Sequence, residues 1–363
     1  MKLFYIAMRI LWFNHRDILH SKAGGAEKTI HEVSKRLVRM GHDVTISSVN
    51  SGKLKSFEVV DGVRINRTNG NIRTHIFVRS IIKKVNPDII IDDLAHVIPW
   101  GSAFFTDKPV IVFFRHLHAR SLPGQLGPVS ARILATVERT YKFFYKDNLF
   151  VTELERGVED LIDLGIKKEN VKTILPGIDH EVFKTCDKSR EPYLLYFGGL
   201  KDYKRPWLAL EVLNRVSSKD IRLRIIGNGP SLEKVKTLCT ELGLSDRVEF
   251  LGHLSDTELP QVLCESWINL HFSVTEGFGL TLIESSSSGT PTAALDAPGV
   301  SEVIEKYGLG LVEKNVLLLS TEIQNMFANY KEWSTKVAKS SLVFSWDKTV
   351  EQWIKILNIS SQS

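Results

Sequence analysis

Glu276 and Glu284, two carboxylates eight positions apart, are the pair in this chain best placed to do chemistry together. Gly277, Phe278 and Gly279 follow the first of them, and Ser285-Ser286-Ser287-Ser288-Gly289-Thr290-Pro291 follows the second. That order reads as a loop whose backbone can approach a ligand, a helix beginning near Phe278, and a Gly-Thr-Pro stop. Glu276 then stands at or just before the helix N-terminus, and the eight-residue step returns Glu284 to nearly the same face. Two carboxylates and several unpaired backbone N–H groups would share one cleft. The plainer alternative is a carboxylate stabilised by the helix dipole plus an unrelated surface glutamate.

Three further loops carry glycine at the end of a β-like run. Gly24-Gly25 precedes a helix, so its N–H groups and dipole suit a phosphate, although two glycines suit any tight turn. Gly198-Gly199-Leu200-Lys201-Asp202-Tyr203-Lys204-Arg205-Pro206 brings Lys204 and Arg205 to a helix start. Positive charge there opposes the dipole unless an anion sits between them. Gly227-Asn228-Gly229-Pro230 repeats the geometry. Arg115-His116-Leu117-His118 also follows a β-like run, and either histidine suits a general base or a ligand donor near neutral pH. A loop histidine without a task is the competing reading, and the residues do not separate His116 from His118.

The elements that must position these loops alternate along the whole chain. Ile6 to Phe13 is β-like, Thr29 to Met40 has helical spacing, and Val44 to Val49 is the next strand, a βαβ unit. Val59 to Asn66 reads as an edge strand or hairpin, and Arg73 to Val85 as a basic amphipathic helix. Asp88 to Asp92 and Pro109 to Phe114 read as buried parallel strands. Ser130 to Tyr145 reads as one long helix mixing aromatic residues with Arg132, Arg139 and Lys142, with Lys146 just beyond it. Periodicity lapses between Gly177 and Pro192. Strands are then expected at Tyr193–Phe197, Arg222–Ile226, Val248–Phe250, Ile268–Leu270 and Thr292–Ala294. Helices are expected at Arg205–Val216, Ser231–Leu242, Asp256–Cys264, Phe278–Ser287 and Val300–Lys306. The pattern predicts an α/β protein of two doubly wound Rossmann-like domains facing across a cleft, 1–180 and 190–344. A C-terminal helix, about 345–358, would return to the first domain.

Bulk properties bound the function. A chain of 363 residues suits two domains, with 43% hydrophobic and 25% charged residues. Residues 1–180 carry 27 Lys+Arg against 19 Asp+Glu, or +8; the rest carries 20 against 23, or −3, summing to the net +5. A basic first half suits an anionic membrane surface or a phosphorylated substrate. Cys186, Cys239 and Cys264 are odd in number and lack C-x-x-C spacing, which argues against a disulfide framework or zinc site and for a reducing compartment. No apolar run reaches membrane-spanning length. The start resembles a signal peptide only superficially, since Arg9 interrupts it, and Met8 is an alternative start.

The motifs together resemble family 4 glycosyltransferases of archaeal and bacterial type. Met8 to Asp17 with Ala23-Gly24-Gly25-Ala26-Glu27 resembles their opening, and Pro176-Gly177-Ile178-Asp179 their interdomain element. Gly198 to Lys204 resembles their phosphate loop, Gly227 to Pro230 their G-D-G-P turn, and Leu251-Gly252-His253-Leu254 the loop beside the nucleotide base. Glu276 to Glu284 resembles their E-x7-E signature. The resemblance runs through nearly the whole chain in order.

It implies a GT-B fold and sugar transfer with retention from a nucleotide-diphosphate sugar, UDP- or GDP-linked, without a metal or other cofactor. The acceptor would be a glycan or lipid-linked. By carry-over, Glu276 contacts the donor sugar with Gly277, Phe278 and Gly279, Glu284 holds the ribose, and Lys204 holds the diphosphate. Gly24 and Gly25 let N–H groups reach the phosphates, Arg205, Gly227, Asn228 and Leu254 line the donor, and His116 or His118 lies near the sugar. Gly199 stands where the family carries Arg, leaving Lys201 and Arg205 as substitute cations, and Arg115 stands where the family often carries His. Cytoplasmic placement with peripheral contact to the inner membrane face is the matching expectation.

The same fold also serves nucleotide-sugar epimerases and hydrolases, which turn over donor without an acceptor. A basic membrane- or nucleic-acid-binding protein is the non-enzymatic alternative, but no aromatic-basic recognition motif supports nucleic acid. Gly24-Gly25 lacks the G-x-G-x-x-G spacing of a dehydrogenase.

Overall fold

The computed structural model describes residues 7–50, 54–121 and 123–361, which fall into two compact units. Unit 1 takes the described residues up to 121, then 128–177 and 346–361; unit 2 takes 123–127 and 178–345. Ile6, the first residue of the β-like run expected to Phe13, lies outside the described residues.

Unit 1 is an eight-stranded sheet of β1 (Arg9–Phe13), β2 (Asp43–Asn50), β3 (Phe57–Val60), β4 (Val63–Asn69), β5 (Ile89–Asp93), β6 (Val110–Phe113), β7 (Leu149–Thr152) and β8 (Val171–Thr173). Its order is β3-β4-β2-β1-β5-β6-β7-β8, parallel except for the β3–β4 hairpin at the edge. β1, β5 and β6 are buried on both faces over nearly their whole length because helices cover both, as a parallel sheet requires. One of those covers is the C-terminal helix Trp346–Ser361, whose buried Trp353 packs on Trp12 and Phe113 at 5.2 Å from each. Truncating such a ring to alanine costs about 3–5 kcal/mol.

Unit 2 is a six-stranded sheet, all parallel: β9 (Tyr193–Phe197), β10 (Arg222–Ile226), β11 (Val248–Gly252), β12 (Ile268–His271), β13 (Thr292–Leu295) and β14 (Gly310–Glu313). Its order is β11-β10-β9-β12-β13-β14. The polar stretch after Gly177 enters unit 2 past the end of helix Glu258–Glu265, where Ser189 N–H donates to Glu265 O and Trp267 Nε1 to Ser189 O.

Several sequence expectations need correction. The basic stretch Arg73–Val85 is two helices, Asn71–Ile76 and Val78–Val85, separated at Phe77. The long helix expected over Ser130–Tyr145 is Pro123–Glu138 and Tyr141–Phe144, divided at Thr140. The helix expected from Arg205 begins at Leu208. Helices Glu155–Asp163, Val316–Ala328 and Tyr330–Ser341 and strand β14 were not anticipated. Cys186 and Cys264 form a disulfide, against the reading of three isolated thiols, and Cys239 is buried and free. Their 78-residue separation hid the pairing; the run of the 180s past helix Glu258–Glu265 creates it. No described helix is long and apolar enough to cross a membrane.

Candidate active site

In both sheets the strand order turns beside the first strand, between β1 and β5 in unit 1 and between β9 and β12 in unit 2. Loops leaving the carboxyl ends of such a strand pair diverge and open a crevice, the usual ligand position in doubly wound sheets. In unit 2 these are the loops that carry Lys204 and Glu276, and Val274 N–H ties them through Tyr203 O at 2.9 Å.

Lys204 Nζ lies 3.0 Å from Glu276 Oε1. Ser273 Oγ donates to the same oxygen at 2.7 Å, and His271 Nε2 lies 3.5 Å from it. Among the described residues, no group donates to Oε2. Burial pushes the Glu276 carboxyl up, but Lys204, with His271 and Ser273, holds it well below the ordinary carboxylate range. Burial likewise lowers Lys204, and Glu276 foremost, then Tyr203 and Tyr196, outweighs it and raises the ammonium above its ordinary value. The backbone of Glu276 is fixed as well. Its N–H donates to Pro298 O, and a Cβ on Gly299 (φ +81°) would stand 2.1 Å from Glu276 O, so only glycine fits there.

The helix after Glu276 starts later than its spacing suggests. Gly279 is left-handed at φ +84° and caps a helix running Leu280–Ser287. Glu276 therefore precedes the helix by four residues, and helical periodicity does not relate it to Glu284. Glu284 is buried in the second turn. Phe278 is also outside the helix, its ring buried against Phe344 at 5.5 Å, so it offers only backbone to a ligand. Gly277 is half-buried beside Glu276.

The expected clash of cations with a helix dipole is removed differently from its sequence reading. Lys204 lies in the 3-10 turn Asp202–Lys204, before the helix, and its counter-anion is Glu276 of the same chain. Arg205 is left-handed (φ +46°) and its Nε donates to Phe272 O at 2.6 Å, while Lys201 is exposed on the Gly199 loop. Gly227 follows β10 with φ +126°, and a Cβ there would meet Gly198 O at 1.9 Å, so the two glycine loops pack backbone on backbone. Leu200 N–H donates to Asn228 O, whose side chain is exposed, and half-buried Leu254 follows β11.

Gly24, Gly25, His116 and His118 belong to unit 1. Gly24 caps the helix Gly25–Arg39, and its N–H donates to Glu27 Oε2 at 2.7 Å, so that donor is engaged. Gly25 and Ala26 open the helix, where N–H groups have no carbonyl one turn back. His118 is held from three sides: its N–H donates to Glu138 Oε1, its Nε2 faces Ala95 O at 3.1 Å, and its Nδ1 lies 3.5 Å from Glu138 Oε1. His116 stacks on it, centroids 4.8 Å apart.

The residues missed by sequence reasoning are His271 and Ser273 in unit 2 and an imidazole cluster in unit 1. His15, after β1, stacks on His96, after β5, at 3.9 Å; His75 Nε2 lies 3.3 Å from His15 Nε2, and Trp100 stacks on His75. Burial foremost, then the neighbouring imidazoles and Arg16, lowers His15 to about 2 and His96 to about 4. The only signal for His15, His96 and His271 was their position at or just past strand ends. Among the described residues no cluster of three or more His, Cys, Asp or Glu could hold a metal.

Each of the two parallel sheets ends in glycine-bearing loops at its switch point, and the chain is similar in sequence and fold to known proteins. Residues 23–182 match the family Glycosyltransferase Family 4, and residues 178–332 match Glycosyl transferases group 1. An uncharacterized glycosyltransferase of Methanocaldococcus jannaschii is 21% identical, covering 93% of this chain and 95% of the relative. The GPI3 subunit of phosphatidylinositol N-acetylglucosaminyltransferase from Saccharomyces cerevisiae is 27% identical, covering 96% and 82%. Sucrose-phosphate synthase from Thermosynechococcus elongatus superposes with a TM-score of 0.83 at 16% identity over 96% of this chain and 98% of its own. Anabaena HepE in complex with UDP-glucose does so with a TM-score of 0.76 at 17% identity over 97% and 99%. Two glycosyltransferase family models thus match successive parts of the chain, and together with the structural neighbours they support a glycosyltransferase of GT-B fold.

Proposed function

We propose that this enzyme transfers a sugar, with retention, from a nucleoside-diphosphate sugar to a hydroxyl of a glycan or lipid-linked acceptor, without a metal. The observation that carries the reading is the half-buried Lys204–Glu276 pair at the turn of the unit 2 sheet, flanked by the Gly198-Gly199 and Gly227 loops. As the C1–O bond of the donor breaks, negative charge grows on the departing diphosphate, and Lys204 with the loop N–H groups stabilises it. Glu276 Oε2 accepts from sugar hydroxyls, and Glu284 from the ribose. The HepE complex with UDP-glucose supports a nucleotide-sugar donor, and the relatives' names make inositol phosphate, free or lipid-borne, the first acceptor to try.

Thermal unfolding with UDP, GDP and their sugars tests the donor, since a ligand that binds only the folded state raises the midpoint. Absence of a shift with every one of them overturns the reading. Product formed with the anomeric configuration inverted would remove the retaining step alone.

Contact with an anionic membrane has its own support in unit 1. Phe104, Phe105 and Phe143 are exposed, Phe104 packs on Phe144 at 5.3 Å, and Lys142 stands over Phe143 at 5.3 Å, with Arg139 and Lys146 nearby in sequence. Exposed aromatic rings beside cations suit an interfacial helix. Co-sedimentation should rise with the fraction of anionic lipid; binding independent of lipid charge refutes this surface.

A further inference from the structure

His271 ends β12 inside an apolar strand, 5% exposed, and its Nε2 makes no hydrogen bond although it is buried. A buried polar atom left unpaired is costly, so its surroundings normally explain it. Here it aims at Glu276 Oε1 from 3.5 Å, just outside bonding geometry, while Lys204 and Ser273 already hold that oxygen. Lys204 is also the cation that a donor diphosphate would attract. If the ammonium leaves for the phosphate, Glu276 remains as a half-buried carboxylate short of one donor, and His271 is the neighbour placed to supply it.

We propose that His271 is a positioning residue that takes over Glu276 Oε1 when a donor diphosphate draws Lys204 away, so that Oε2 stays aimed at the sugar. The inference rests on the donor reading of unit 2. It predicts that His271 matters to the sugar and little to the nucleotide, because its partner, Glu276, faces the sugar.

The test measures UDP and GDP affinity by calorimetry and release of nucleoside diphosphate from UDP-glucose, UDP-N-acetylglucosamine and GDP-mannose. Water or inositol 3-phosphate serves as acceptor. His271→Leu should lower kcat at least ten-fold while nucleotide affinity and the unfolding midpoint stay close to wild type. His271→Gln, whose amide can donate to the same oxygen, should recover most of the rate. In a Glu276→Gln background, His271→Leu should cost less than two-fold more, because coupled residues lose their effect together. Equal rates for His271→Leu and wild type, no rescue by Gln, or a full additive loss in the double variant overturns the proposal. If neither UDP nor GDP binds wild type, the donor reading fails and takes this inference with it. Nucleotide binding with an unaltered His271→Leu rate removes this inference alone.

Discussion

Both units place a cation against a carboxylate at the carboxyl end of a parallel sheet, buried between two carboxylates in unit 1 and half-buried beside one in unit 2. In unit 1, Arg115 donates through Nε and one terminal nitrogen to both Asp93 oxygens, and through the other to Glu153 Oε1. Its guanidinium also lies 3.7 Å over Phe113. Burial lowers it, but Asp93 and Glu153 outweigh that and raise it above its ordinary value. In unit 2, three groups converge on one oxygen of Glu276, and its other oxygen accepts nothing from the described residues. A cation held by two carboxylates and shut off from solvent holds a fold together. A cluster with an acceptor left open, beside a buried imidazole short of a partner, is built to be completed by a ligand.

Substitutions should separate the two. Arg115→Met leaves Asp93 and Glu153 buried without their cation, and breaking a buried pair from one side costs about 3–5 kcal/mol. Its unfolding midpoint should drop steeply, with activity lost only as the protein unfolds. Glu276→Gln should lower the midpoint less, because Lys204 and Glu276 are only half-buried, while cutting turnover by about 10²–10³-fold, the size seen when one catalytic-site polar group is removed. A midpoint drop for Glu276→Gln as large as that of Arg115→Met would erase the distinction between the clusters. Glu284→Ala comes next. Loss of hydrogen bonds from a charged group, about 1.5–3 kcal/mol, should weaken UDP or GDP by about 10–100-fold in calorimetry. Unchanged affinity would remove Glu284 from the ribose.

The contrast also explains what could be read before the fold was known. β-like runs such as Tyr193–Phe197 and Arg222–Ile226, with glycine loops at their ends, specify parallel strands and ligand loops locally, so two α/β sheets were legible. Glu276 and Lys204 were legible as chemistry because each sits in a polar loop. Their mutual contact was not, since it depends on β12 lying beside β9 rather than beside β11. His271 was hidden for the opposite reason: Ile268-Asn269-Leu270-His271-Phe272 reads as a strand, where a histidine passes for core. His15 and His96 are far apart in sequence and meet only because β1 and β5 pair. The helix start at Leu280 was misplaced because Gly279 was read as turn material within a loop rather than as the left-handed cap itself.

The unit 1 imidazoles give the smallest effect and the finest test of the comparison, because they are titratable without being paired to a carboxylate as Lys204 is. His15 is neutral in the fold, its pKa lowered to about 2 by burial foremost and by His96, His75, Arg16 and His118 facing it. The unfolded chain binds a proton below pH 6.5 that the folded chain refuses, so stability rises with pH and is lost as pH falls below 6.5. Asp92 works in the opposite sense. Burial raises it from 3.8 to about 6, against hydrogen bonds from Ser102 and Tyr145, so the folded chain holds an extra proton between those values. Below about pH 6 Asp92 offsets one of the histidines, and Glu153, whose carboxyl burial also raises, works in the same sense as Asp92. One such histidine contributes about 1.4 kcal/mol per pH unit at most. His15→Gln should flatten the fall of the unfolding midpoint between pH 6.5 and 5.5, and Asp92→Asn should steepen it below pH 6. The Glu276 cluster, with its carboxyl held far below this range, should contribute nothing to either slope, so Glu276→Gln should leave the stability profile from pH 6.5 to 5 parallel to wild type.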